Sequence, residues 1–256
     1  MHRWHQVRTY LHHWLYAENE HGLHEPFAFD LYKNVVAANR KSVGNAEIER
    51  IRSSYIPLTN PVQFQALGAQ STFSDRSLKQ VALYGGASAH QAQVLQELAR
   101  TLNCRVIVEL GTSLGITSLY LKWDDNVRIF SLEGDPLLVS EARKNVSIHS
   151  DIEIIEGNID ETLPALLKEL PRIDLLYMDA NHKYQPTIDY FEMSKSKLHE
   201  NSVVVIDDIH WSKEMSKAWQ EIKERPEVGL TMDFHQMGWV FFRSFRQKYH
   251  YCLDIR

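Results

Sequence analysis

Four acidic residues stand where apolar runs of this sequence stop. Glu133 closes the run 127–132, Asp179 the run 173–178, and Asp207 with Asp208 the run 203–206. A carboxylate so placed accepts two hydrogen bonds at once, which suits the paired hydroxyls of a ribose. Three aspartates at the mouths of neighbouring strands repel one another unless a cation or protons intervene. Hard oxygen donors of this kind suit Mg²⁺ or another divalent cation. His182 lies three residues past Asp179, and an imidazole exchanges its proton near neutral pH, as a general base must. A different chemistry, binding by shape, belongs to Glu109, Gly111, Thr112, Ser113 and Gly115, a Glu-x-Gly-x-x-x-Gly turn after the run 106–110. Glycines there let a backbone approach a ligand with no Cβ in the way. Gly157, Asn158 and Ile159 follow the run 152–155. An amide and a branched apolar side chain in that place suit the edge and face of an adenine.

Regular elements must position these residues. From about Ser88 the sequence predicts a helix to about 102, then a strand at 105–110 and a helix from near 114. Strands at 127–132, 152–155, 173–178 and 203–206 alternate with helices at 136–149, 163–170, 186–198 and 212–224. Two closing strands are expected at 229–234 and 239–242. Strands separated by helices of roughly 10–15 residues imply a mostly parallel α/β sheet with helices on both faces. The short turn between the last two strands implies an antiparallel ending. Ligands of such a sheet sit beyond the carboxyl ends of its strands, and the residues above lie there.

Residues 1–85 lack this rhythm. Trp4, Val7, Leu11, Trp14 and Leu15 recur at helical spacing, and a second helical stretch follows Pro26 with Phe27, Phe29, Leu31, Tyr32 and Val35. Asn45 suits the N-cap of a short helix, the stretch 63–74 has no clear period, and no strand pattern precedes Arg105. The expected organisation is a helical N-terminal extension, 1–85, acting as a lid, a substrate contact or a homodimer contact, followed by a ligand-binding domain, 86–256.

Composition narrows the function classes. The 256 residues are 44% hydrophobic with a formal charge of −5. That balance offers no basic face for nucleic acid. No apolar run approaches the roughly 20 residues of a membrane span, so no membrane partner is expected. Two cysteines, Cys104 and Cys252, make neither a disulfide framework nor a cysteine-based zinc site. A soluble, cytoplasmic protein acting on a small molecule is the expectation.

The ligand at the glycine turn follows by comparison of fingerprints. A dinucleotide motif asks for glycines where Ser113 and Ile116 stand, which argues against a nicotinamide-dependent oxidoreductase. No glycine-rich run ends in Lys-Ser/Thr, so an NTP-binding phosphate loop is excluded. Glycine turn, ribose acid and adenine-side amide then follow one another at successive strand ends, which describes an adenosine with no phosphate requirement.

Over about residues 88–243 the sequence resembles the class I S-adenosylmethionine-dependent methyltransferases. The resemblance rests on Val-Glu109-Leu-Gly111-Thr-Ser-Leu-Gly115, Leu-Glu133-Gly-Asp, Gly157-Asn158-Ile-Asp, Met-Asp179-Ala-Asn-His and Ile-Asp207-Asp208. It implies a Rossmann-like sheet that binds S-adenosyl-L-methionine. Gly111 and Gly115 would line the methionine side, Glu133 would hold the ribose, and Asn158 with Ile159 would flank the adenine. Asp179, Asp207 and Asp208 are also similar to the metal-binding acids of O-methyltransferases acting on catechols and caffeoyl thioesters. Here Asp208 replaces an Asn of that pattern and His182 replaces a Lys. The implied activity is methyl transfer to a small-molecule acceptor, most simply a hydroxyl, with a divalent cation and with His182 and Asp179 as catalytic groups. Other readings stay open: Asp207 and Asp208 as caps of the helix from 212, Asp179 as a partner of the cofactor's ammonium, His182 as an ordinary loop histidine, and a non-catalytic cofactor binder.

Overall fold

A computed structural model describes residues 2–66 and 72–254. Residues 67–71, within the stretch of unclear period, lie outside the described part. The chain forms two compact units, one of residues 39–171 and one of residues 1–38 with 172–256.

The 39–171 unit opens with α1, Ala46–Ser54, whose N-cap Asn45 accepts hydrogen bonds from the amides of Glu47 and Ile48. An antiparallel hairpin follows, β1 (Pro61–Ala66) and β2 (Thr72–Ser77). This corrects the expectation that no strand precedes Arg105. The two strands carry Gln, Ser, Asp and Arg between few apolar residues, so their alternation does not stand out. Next come α2 (Leu78–Tyr84) and α3 (Ala89–Thr101). Each opens on a capping box, Ser77 with Gln80 and Ser88 with Gln91.

Three parallel strands follow, β3 (Val106–Leu110), β4 (Arg128–Glu133) and β5 (Ile152–Glu156), with β4 in the middle. They alternate with α4 (Ile116–Leu121), α5 (Pro136–Asn145) and α6 (Ile159–Glu169). Ile107, Val108, Leu110, Ile129 and Leu132 have no exposed surface. Unbroken apolar runs of this kind suit parallel strands covered on both faces.

The other unit carries an N-terminal helix, α7 (His2–Tyr16), and a short helix, α8 (Pro26–Leu31). From 172 onward come β6 (Leu175–Met178), α9 (Tyr184–Ser194), β7 (Val203–Asp207), α10 (Lys213–Glu224), β8 (Leu230–Asp233), β9 (Met237–Phe241) and β10 (Tyr249–Cys252). Their order is β6-β7-β9-β8-β10. β6 and β7 are parallel, β9 runs antiparallel to both β7 and β8, and β10 is parallel to β8. The antiparallel ending is as expected, and β10 is an additional strand. The alternation of parallel strands with helices, ending in an antiparallel strand, is the Rossmann-like methyltransferase fold. Tight packing marks the ending, where a Cβ on Gly238 would stand 2.6 Å from the ring of buried Trp219.

Candidate functional site

The glycine turn is a backbone that only certain residues tolerate. Gly111 and Gly115 hold φ of 95° and 73°, and Ser113 between them holds φ of 51°. Left-handed backbone is native to glycine and costs a residue with a Cβ free energy, so something must secure Ser113. Glu133 does. Its Oε2 accepts the Ser113 amide at 2.8 Å, while Oε1 accepts the amides of Gly134 and Asp135 at 2.8 and 3.0 Å. Burial pushes the Glu133 carboxyl up against the pull of these three donors. Each carboxylate oxygen has two lone pairs, so Oε2 of Glu133 keeps acceptor capacity for one hydroxyl brought by a ligand.

The other amides of the turn have partners within the chain. Those of Gly111 and Thr112 donate to the Leu132 carbonyl, and that of Gly115 to the Thr112 carbonyl. A phosphate cradle needs such amides turned toward the ligand.

Behind the turn lies a polar knot. Glu109 has no exposed surface; its Oε2 accepts the hydroxyls of Ser118 and, at 2.6 Å, Ser131. Thr112 Oγ1 lies 2.6 Å from Ser131 Oγ. The Thr112 side chain is thus turned into the core. Burial pushes the Glu109 carboxyl up to about 7, against the hydrogen bonds from Ser118 and Ser131. Oε1 of Glu109 is buried with no hydrogen-bond partner among the described residues. An orphaned buried carboxylate oxygen calls for a donor, and the ammonium of a methionyl group is one.

At the next strand end Gly157 holds φ of 141°. Asn158 is the N-cap of α6, its Oδ1 accepting the Asp160 amide at 3.1 Å, and Ile159 is buried. The capping role leaves the Asn158 Nδ2 group as its donor. Sequence reading missed Asp135. It caps α5 by accepting the Leu137 and Leu138 amides and also holds the β1 backbone through the Gln65 amide at 2.6 Å.

In the other unit, the ends of β6 and β7 bring Asp179, His182, Asp207 and Asp208 together. His182 Nε2 lies 3.5 Å from Asp179 Oδ1, and Nδ1 lies 3.9 Å from Asp208 Oδ2. The missed member is Tyr177, buried, whose hydroxyl lies 3.3 Å from Asp179 Oδ2 and 3.2 Å from Asp207 Oδ2. Two positions before Asp179 on one strand means the same face, the one signal that pointed to it. Burial, and next the charge of Asp208, push Asp207 up to about 7. Burial also raises Asp208, with His182 opposing. His182 is lowered by burial, against the pull of Asp208, so it is a neutral imidazole at neutral pH. Asn181, His182 and Asp208 all hold left-handed backbone, with φ of 61°, 35° and 54°. Strain of this kind gathers where side chains are held for function.

Ser212 is the N-cap of α10, its side chain accepting the Met215 amide. Asp207 and Asp208 are therefore not the caps of that helix. His210 is also used inside the unit, with Nε2 2.8 Å from Asp233 Oδ2. The aspartates offer hard oxygen donors, yet among the described residues no group of three or more His, Cys, Asp or Glu is arranged to hold a metal ion.

Comparison with known proteins agrees with this architecture. Residues 108–209 match the family model described as a methyltransferase domain. The chain is 28% identical over 128 residues to a catechol O-methyltransferase of Niastella koreensis, covering 48% of this chain and 57% of that protein. It is 32% identical over 152 residues to the uncharacterized protein R132 of Acanthamoeba polyphaga mimivirus, covering 53% of this chain and 68% of that one. The chain thus spans between about half and two thirds of these relatives' lengths. Its fold superimposes on the S-adenosylhomocysteine-bound methyltransferase PaMTH1 of Podospora anserina with a TM-score of 0.62. That pair is 16% identical, covering 86% of this chain and 98% of that one. Residues 108–209 thus carry a methyltransferase domain, on the fold of the class I methyltransferases.

Proposed function

We propose that this protein transfers a methyl group from S-adenosyl-L-methionine to a hydroxyl oxygen of a small molecule. The observation that carries the reading is Glu133, which secures the left-handed Ser113 while keeping acceptor capacity, beside the orphaned oxygen of Glu109. A cofactor with a ribose and an ammonium group meets both needs. When bound, S-adenosylmethionine would supply an electrophilic methyl on sulfur and leave as S-adenosylhomocysteine. Glu133 would hold a ribose hydroxyl, Glu109 would receive the ammonium, and Gly111, Gly115 and Gly157 would leave room for the ligand, with Asn158 and Ile159 on the adenine side. His182 would take the acceptor's proton, with Asp179 orienting the imidazole. Catechol is the first acceptor to assay, because a relative carries that name.

The test is calorimetric titration with S-adenosylmethionine and S-adenosylhomocysteine, then transfer of a labelled methyl to catechol and other hydroxyl compounds. Binding should be present in the native protein and at least about tenfold weaker in Glu133→Ala, as befits loss of hydrogen bonds to a charged group. Failure to bind either compound sinks the reading. Binding without turnover on any acceptor makes the protein a non-catalytic cofactor binder.

A divalent cation at Asp179, Asp207 and Asp208 is a second form of the reading, favoured by three carboxylates in one cluster with Asp207 pushed up to about 7. It requires those side chains to rearrange from the arrangement described above. Turnover abolished by EDTA and restored by Mg²⁺ would establish it, and turnover indifferent to both would remove it.

A further inference from the structure

Helix α7 is built inside out. Its inward residues are polar: His5 Nε2 lies 3.0 Å from Ser216 Oγ, and the Gln6 side chain donates to the Trp211 carbonyl at 3.1 Å. His13, only 7% exposed, lies 3.2 Å from Cys252 Sγ and 3.6 Å from Asp233 Oδ1. Asp233 fixes this seat by also accepting the Trp219 indole N–H and the His235 amide, each at 2.9 Å. The outward stripe is apolar. Trp4 is 80% exposed, Trp14 66% and Leu15 67%, with Val7 and Leu11 between them and Tyr10 and Tyr16 also exposed. A surface helix ordinarily turns such a stripe to the core. A contiguous apolar patch on a surface marks a place where something docks.

Charge says what docks. The sequence of α7 has Arg3 and Arg8 and no acidic residue, whereas the whole chain has a formal charge of −5. Arg8 is exposed beside the stripe. In a heptad with Trp4 and Leu11 at a and Val7 and Trp14 at d, Arg8 occupies e. A second copy packed through the same stripe would offer Arg8 no acid, because α7 carries none. An anionic lipid surface rewards every one of these features. Tryptophan and tyrosine rings favour the headgroup level of a bilayer, and arginines beside an apolar stripe meet anionic headgroups. No described helix is long and apolar enough to cross a membrane, so α7 would lie in the plane of the surface.

We propose that α7 docks this protein reversibly on an anionic bilayer surface, with the Trp4–Val7–Leu11–Trp14–Leu15 stripe entering the headgroup–acyl boundary. The inference is independent of the catalytic reading. The test is co-sedimentation of the full chain with vesicles of phosphatidylcholine alone and of phosphatidylcholine with phosphatidylglycerol, at low and high salt. The chain should partition onto the phosphatidylglycerol vesicles, with a blue shift of tryptophan emission and release by salt. The double substitution Trp4→Ser with Trp14→Ser should lower that partition by roughly tenfold or more, and Arg8→Glu should weaken it on anionic vesicles. All three substitutions fall on exposed side chains, so unchanged far-UV dichroism and melting temperature certify the fold. Absence of binding to both vesicle types overturns the proposal, as does equal binding to both or undiminished binding by the double variant. A concentration-dependent dimer that Trp14→Ser dissolves, without vesicle binding, assigns the stripe to a second copy instead.

Discussion

Glu109 shows how a buried carboxyl can weaken a fold as the pH rises. Its carboxyl is pushed from the ordinary 4.5 to about 7 by burial, so the folded protein keeps a proton that the unfolded chain releases across that window. Stability from this source is whole below about pH 4.5 and declines until about pH 7. Glu109→Gln removes the titration. The native melting temperature should fall more steeply than the variant's between pH 4.5 and 7, by the equivalent of about 3 kcal/mol; parallel profiles would refute the assignment. His182 makes a kinetic prediction. His182→Ala should lower kcat roughly 10²–10⁴-fold, the range for a general base, while S-adenosylhomocysteine affinity stays unchanged in calorimetry. A loss confined to affinity would remove the base role. Much of this was legible in residue types at strand ends, since only carboxylates and glycines suit those tasks. The inward turn of the Thr112 side chain was not legible, because a turn residue has no periodicity to say which way it faces. Tyr177 stayed hidden inside an apolar strand, where its hydroxyl looks like one more buried aromatic.

Elements were legible in proportion to their burial. β6 and β7 announce themselves as apolar runs, and β3 does so with Glu109 as its one polar residue, whereas β10 is Tyr-His-Tyr-Cys after a basic, aromatic stretch and shows no alternation. The helix after β7 is a lesson in competing caps. Two aspartates stand before it, yet Ser212 takes the role, because an N-cap must immediately precede the first helical turn. That displacement leaves Asp207 and Asp208 available to the cluster. Where elements pack, β9 is the least forgiving. Its Gly238 lies against Trp219, whose indole is fixed by Asp233. Gly238→Ala should therefore destabilise the protein by about 1–3 kcal/mol through overpacking. The check is thermal unfolding, and an unchanged melting temperature would show that Trp219 yields.

Across the whole chain, alternating strand and helix were enough to foresee a mostly parallel sheet, since parallel strands need crossovers. What sequence distance concealed is grouping. Residues 1–38 belong with 172–256, while 39–85 belong with the glycine turn, and no local pattern encodes a contact across more than two hundred residues. The two ends of the chain meet at one place in particular. β10 is an outer strand of its run, the Glu18 amide donates to the Cys252 carbonyl at 2.8 Å, and Glu18 bridges Leu253. An outer strand with unpaired amides and carbonyls is a template for another chain, and here the segment after α7 partly shields it. Removing residues through Glu18 should thus yield protein that associates edge to edge, seen as growing light scattering at a concentration where the full chain stays monodisperse. If the shortened chain also stays monodisperse, the shield is dispensable. The segment that follows α7 is then more than a tether: it is a guard against self-assembly, and any trimming there acts on colloidal behaviour before it acts on catalysis.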